Sequence, residues 1–263
     1  MKAPVIVLLA VSLIYLPAIS AQRGELPRFE VASVKVSTKP YLSIAPTRSG
    51  GRIQWTTDLQ YVLGYAFHMQ LWQISGSIPG STSIFEFDVV TDAAATDEQV
   101  RLMFQSLLID RFHMAFHRAT KQADGYALTV AKGGPRMEEA KDEKIPPLPD
   151  WFRARSGDSA QMEGSVAGTS RGGYAVDLVG RRVTMAQLSE ALQWLVRTAV
   201  FDRTGLTGRY YFAIEYADDD APPEVTLPNL FAALKELGLQ VVKQTGEVEA
   251  LVVDRIEKTP TEN

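Results

Sequence analysis

The sequence predicts an α+β fold: two tandem βαββαββ-type modules joined by a Pro/Gly-rich linker. Three observations predict it. Apolar residues recur at helical spacing behind hydroxyl–glutamine pairs. Between them lie stretches that alternate with period two. The same order of elements then returns 126 or 127 residues further on, pairing Asp58 with Thr184, Leu59 with Met185, Val62 with Leu188 and Arg111 with Gly238. A repeat of that length usually means two copies of one small unit.

The helices follow in chain order. Asp58 opens one, with Leu59, Val62, Leu63, Ala66 and Phe67 on its buried side. Thr96-x-x-Gln99 is a capping box, and Val100, Met103, Phe104, Leu107 and Leu108 behind it share one face. Thr184-x-x-Gln187 repeats the device before Met185, Leu188, Leu192 and Leu195. A last helix is expected from about Thr226 through Leu230, Leu234 and Leu237, with Gly238 suited to a left-handed cap. The strands read as Ile84–Val90 and Tyr210–Tyr216, which alternate. Tyr126–Ala131 and Ala250–Ile256 are expected as further strands, one near the end of each unit.

Between the copies, residues 136–173 run from charged to proline-rich to Gly/Ser-rich without lasting periodicity, the signature of a linker. Its Trp151 and Phe152 suit packing back onto a neighbouring domain more than partner binding. The expected organisation is a signal peptide (1–20), a first module (27–135), the linker (136–173), a second module (174–258) and a tail (259–263). A linker that buries little should be the easiest place to cut, near 145–173.

Residues 1–20 carry Lys2, an apolar run of 12 residues from Val5 to Leu16, Pro17, and small residues at Ala18 and Ser20. That is the pattern of a cleaved export signal, and the run falls short of the roughly 20 residues that span a bilayer. A periplasmic or secreted protein starting near Ala21 or Gln22 is expected, without stable membrane insertion after cleavage. The chain has no cysteine, so disulfides, thiolate ligands and thiol nucleophiles are excluded. Its net charge of −4, without a basic stripe, argues against a nucleic-acid partner.

His113 and His117 pose the metal question. On a strand, with Phe112, Met114 and Phe116 turned inward, positions four apart lie roughly 13 Å from one another and cannot share an ion. No metal or cofactor is therefore expected, and no nucleophile elbow, zinc-protease, dinucleotide or phosphate-loop motif occurs. Asp218–Asp220 lacks the glycine and distal glutamate of a calcium loop and reads as a solvated charge run. Asp202 and Asp254 form an acid–base pair only if the fold unites them. The densest polar stretch is Phe201–Phe212, where Asp202, Arg203, Thr204 and Arg209 could bind a ligand. A local Asp202–Arg203 turn is the simpler account.

The stretches Phe29–Lys35, Asp97–Arg118, Tyr126–Pro135, Phe201–Phe212 and Glu249–Asn263 resemble a family of uncharacterised secreted proteins known mainly from soil bacteria. The same module resembles the extracellular part of some membrane zinc-peptidase antibiotic sensors. His117 and Arg118 match the family's "HR" and Asp202–Gly208 its "DRTGLTG"; His113 stands where the family commonly has lysine. The resemblance implies no catalytic residue. Each half is also similar in topology to the short N-terminal domain of secretins and TonB-dependent receptors, which binds protein partners. The expected function is that of an exported, non-catalytic binding protein of the cell envelope, its partner an envelope protein or small ligand. The binding candidates are Asp202, Arg203, Thr204, Arg209, His117 and Arg118. The alternative is a secreted hydrolase with a site near the Asp202–Arg209 loop.

Overall fold

The computed structural model describes residues 26–38, 43–78, 83–141, 147, 152, 163–170 and 174–261. Among them are four α-helices and three four-stranded sheets, a mixed α+β architecture. The expected export signal and Trp151 lie outside the described residues.

The first sheet has the order β1-β5-β3-β2, all neighbours antiparallel: β1 (Val31–Val36), β2 (Thr47–Ser49), β3 (Arg52–Thr57) and β5 (Phe85–Val90). Strands β3 and β5 alternate as their sequences demand, with Ile53, Trp55, Phe85, Phe87 and Val89 buried. Helix α1 (Leu59–Phe67) is capped by the Asp58 carboxylate, which accepts from the amides of Gln60 and Tyr61. Helix α2 (Asp97–Phe112) opens on the complete Thr96–Gln99 capping box. Both helices pack on this sheet, where Trp55 meets Tyr65 and Phe104 edge-on at 5.4 and 5.8 Å.

A sheet of order β7-β11-β9-β8 carries the other core: β7 (Glu138–Glu139), β8 (Ser165–Ser170), β9 (Ala175–Val183) and β11 (Tyr210–Ala217). Helix α3 (Met185–Val196) starts at the complete Thr184–Gln187 box, and α4 (Leu230–Glu236) at Asn229. That start is later than the expected Thr226. Pro228 disfavours helical backbone at Leu227, and the Asn229 side chain accepts from the Ala232 amide instead. Leu195, expected on the buried face of α3, is 39% exposed.

Residues 136–173, expected to be a featureless linker, contribute both edge strands of this sheet, β7 and β8. Phe152 is fully buried against Val179. Pairing with strands that already exist supplies the order that local periodicity lacks.

The third sheet joins the halves. Its order is β10-β6-β12-β4, with β4 (Ile74–Gly76), β6 (Ala115–Val130), β10 (Ala199–Asp202) and β12 (Leu239–Arg255). Each half was expected to close on two separate strands. The structure instead runs each pair together, into 16 residues for β6 and 17 for β12. Asp124-Gly125 is a dipeptide that suits a hairpin turn. Here the chain continues straight, with Asp124 opposite Thr245 and Gly125 opposite Gln244 of β12. Gly125 also makes room for β10: a Cβ there would stand 2.3 Å from the Ala199 carbonyl oxygen.

Strands β6 and β12 pair antiparallel from Ala115↔Arg255 to Val130↔Leu239. The short strands add crosswise and parallel: β10 beside residues 125–128 of β6, β4 beside residues 251–253 of β12. The cores follow suit. Leu251, Val253 and Ile256 fill the core of α1 and α2, while Leu128 fills that of α3 and α4. Burying three such side chains contributes on the order of 4–9 kcal/mol to the first core.

His113 does not lie on the strand. Helix α2 runs through Phe112, and His113 caps it in the left-handed conformation at φ 45°. Phe112 and Met114 are nevertheless buried and His113 exposed, so the in–out order read from the sequence persists across the cap.

Candidate functional site

The Asp202–Arg209 loop follows β10. One oxygen of the Asp202 carboxylate accepts from the Thr204 amide at 2.9 Å and from its hydroxyl at 2.7 Å. The Thr204 hydroxyl in turn accepts from the Leu206 amide at 3.2 Å. Gly205, at φ 68°, takes the left-handed bend. Arg203 lies over the Phe201 ring, 5.7 Å from its centroid, and Arg209 donates to the Arg182 carbonyl at 3.1 Å. These bonds fold the loop; they aim no group at a common point.

His117 and Arg118 stand near the opposite end of β6. His117 Nδ1 lies 3.0 Å from Asp254, and Arg118 meets Glu249 at 2.5 Å. Asp202 pairs in register with Leu128, eleven residues along β6 from His117, or roughly 36 Å. The six candidates therefore form two separate groups. Asp254 belongs to the His117 group, far from Asp202.

All three histidines face carboxylates of the other half: His68–Glu190 at 3.2 Å, His113–Glu257 at 2.9 Å and His117–Asp254 at 3.0 Å. They stitch the halves together. Each pair is about half exposed, so each adds little alone. No group of three metal-ligating side chains occurs among the described residues.

Two features of the central sheet had no local signal in the sequence. The first is open edge. The carbonyls of Asp124 and Leu128 accept from the Thr198 hydroxyl and the Arg203 amide, so even-numbered residues of β6 point outward. At Phe116, Arg118, Thr120 and Gln122 no strand takes those groups among the described residues. The second is a cleft of about 460 Å³ lined by Asp124, Gly125, Tyr126, Thr198, Lys243, Gln244 and Thr245. Thr245 donates to the Asp124 carboxylate at 2.7 Å.

The titration shifts lie elsewhere. Burial, assisted by Asp218 and Asp219, pushes the Tyr216 hydroxyl up to about 12 inside the second core. Burial likewise raises Tyr65. On the outer face of the first sheet, the Arg52 guanidinium bonded to Asp88 holds that carboxyl below the usual range. These shifts trace to core packing and a surface ion pair rather than to a poised acid–base couple.

Fold and site together define an α+β protein whose two helix-bearing cores share one central sheet. The chain belongs to the family described as Protein of unknown function (DUF3738), whose model matches residues 60–256. No curated protein and no solved structure matches the chain.

Proposed function

We propose that the chain is an exported, non-catalytic binding protein of the cell envelope. In this reading it is built from two modules, similar in topology to the secretin and TonB-receptor N-terminal domain, that have exchanged their last strands. The observation that carries it is the open edge of β6. Seven residues, Phe116–Gln122, present four outward N–H and four outward C=O groups in register. An extended segment of a partner can satisfy them by joining the sheet, with main-chain hydrogen bonds supplying the affinity. Arg118 and Lys121 reach across β12, to the Glu249 carboxylate and the Trp72 carbonyl, rather than over this edge. The Asp202–Arg209 loop supports a hydrolase less well, since one Asp202 oxygen is already engaged in its own turn.

The test places a photo-crosslinker at Gln122 of the full chain and exposes it to envelope extract. A discrete adduct lost in Thr120→Pro, which removes an outward N–H, is the expected result. An adduct indifferent to Thr120→Pro speaks against strand addition. Hydrolytic activity abolished by Asp202→Ala, with the fold intact, would overturn the non-catalytic reading.

A further inference from the structure

We infer that the cleft on the central sheet is a binding site for an uncharged saccharide unit. Its floor is the strand pair where both halves meet: Asp124 faces Thr245, and Tyr126 faces Lys243. Opposed side chains leave the sheet about 5 Å apart and diagonal ones about 7–8 Å apart. The polar groups are thus spread over the breadth of a sugar ring.

Their hydrogen-bonding capacity is largely unspent. Thr198 gives its proton to the Asp124 carbonyl at 2.9 Å, so toward the cleft its hydroxyl can only accept. One Asp124 carboxylate oxygen takes the Thr245 hydroxyl, and the other stays available. Lys243 has no carboxylate partner among the described residues, and the Tyr126 hydroxyl has no side-chain hydrogen bond there; Gln244, opposite Gly125 in the register, sends its side chain to the other face of the sheet. The cleft therefore offers donors and acceptors side by side. Sugar hydroxyls, each donor and acceptor at once, match that mixture.

Charge and size narrow the class. One lysine against one aspartate leaves the lining neutral, which gives a net anion or cation no advantage. About 460 Å³ falls within the usual range for small-molecule sites. The Tyr126 ring stands edge-on to Phe231 at 5.0 Å, which holds it in place as one wall.

Saturation-transfer NMR on the full chain tests this with maltose, cellobiose and N,N′-diacetylchitobiose as probes, and glycylglycine as the zwitterion. Transfer to at least one disaccharide is expected. Asp124→Asn and Lys243→Met should each weaken it about tenfold, the loss of one charge-assisted hydrogen bond. Lys258→Met, past the far end of β12, should leave it unchanged. Both cleft positions are exposed, and circular dichroism checks that the variants fold. Transfer to none of the sugars, transfer that survives both cleft variants, or binding of glycylglycine alone would overturn the assignment. The outcome is independent of strand docking, which is read at Gln122.

Discussion

Leu251 belongs to the second half by sequence and to the first core by structure, which makes its truncation a decisive perturbation. The side chain is fully buried among residues of α1, α2 and the first sheet, beside Val253. Leu→Ala at such a site removes transfer free energy and leaves a cavity, together costing about 2–5 kcal/mol. At 1.4 kcal/mol per decade, that corresponds to roughly 30- to 4,000-fold faster exchange of amides that open with the damaged core. Hydrogen–deuterium exchange read by mass spectrometry resolves where the change falls. Peptides covering Leu59–Phe67 and Asp97–Phe112 should accelerate at least as much as those covering Met185–Val196. Leu128→Ala should act in mirror image, loosening α3 and α4. Acceleration by Leu251→Ala confined to α3 and α4, with α1 and α2 unchanged, would refute the crossed packing.

Two further outcomes concern the second core and the joined halves. Tyr216 is raised from 10.0 to about 12 in the fold, so the stability tied to its neutral hydroxyl is complete below pH 10 and drains away as pH climbs toward 12. Urea midpoints across that window should fall by the equivalent of about 2–3 kcal/mol, and Tyr216→Phe should remove that part of the slope; an unchanged slope speaks against it. A chain cut once between Lys141 and Glu163 should elute from gel filtration as one species of unchanged size. Separation into two fragments without denaturant would show that β6 and β12 do not hold the halves together.

The helices were the most legible part of the sequence, because their signals are local. Thr96, Gln99, Thr184 and Gln187 specify two starts within four residues each, and both capping boxes form as written. The alternation of β5 and β11 was equally plain. What escaped depends on partners distant in the chain. Asp124-Gly125 runs straight in a ladder with Gln244 and Thr245, about 120 residues away, and a two-residue strand such as β7 has no period to read. The Asp202 loop was legible only in part: Asp, Thr and Gly at close spacing make a turn, but the Asp202 carboxylate bonds Thr204 rather than the expected Arg203, which lies over Phe201. The cleft could not be seen at all: Asp124 and Lys243 come together only through the register of β6 on β12.

That register also governs when the protein can fold. Val130 ends β6, but the first core waits for Ile256, 126 residues later. At about 5–20 residues per second of synthesis, the first half stays without its closing strand for roughly 6–25 s. During that interval the part of the first core that Leu251, Val253 and Ile256 cover has no lid. Assembly of either core becomes an event of the finished chain, dominated by contacts between its distant ends, and such topologies fold slowly. A chaperone that holds the incomplete first half would have a defined target, the bare inner edge of β6, and a defined signal for release, the arrival of β12.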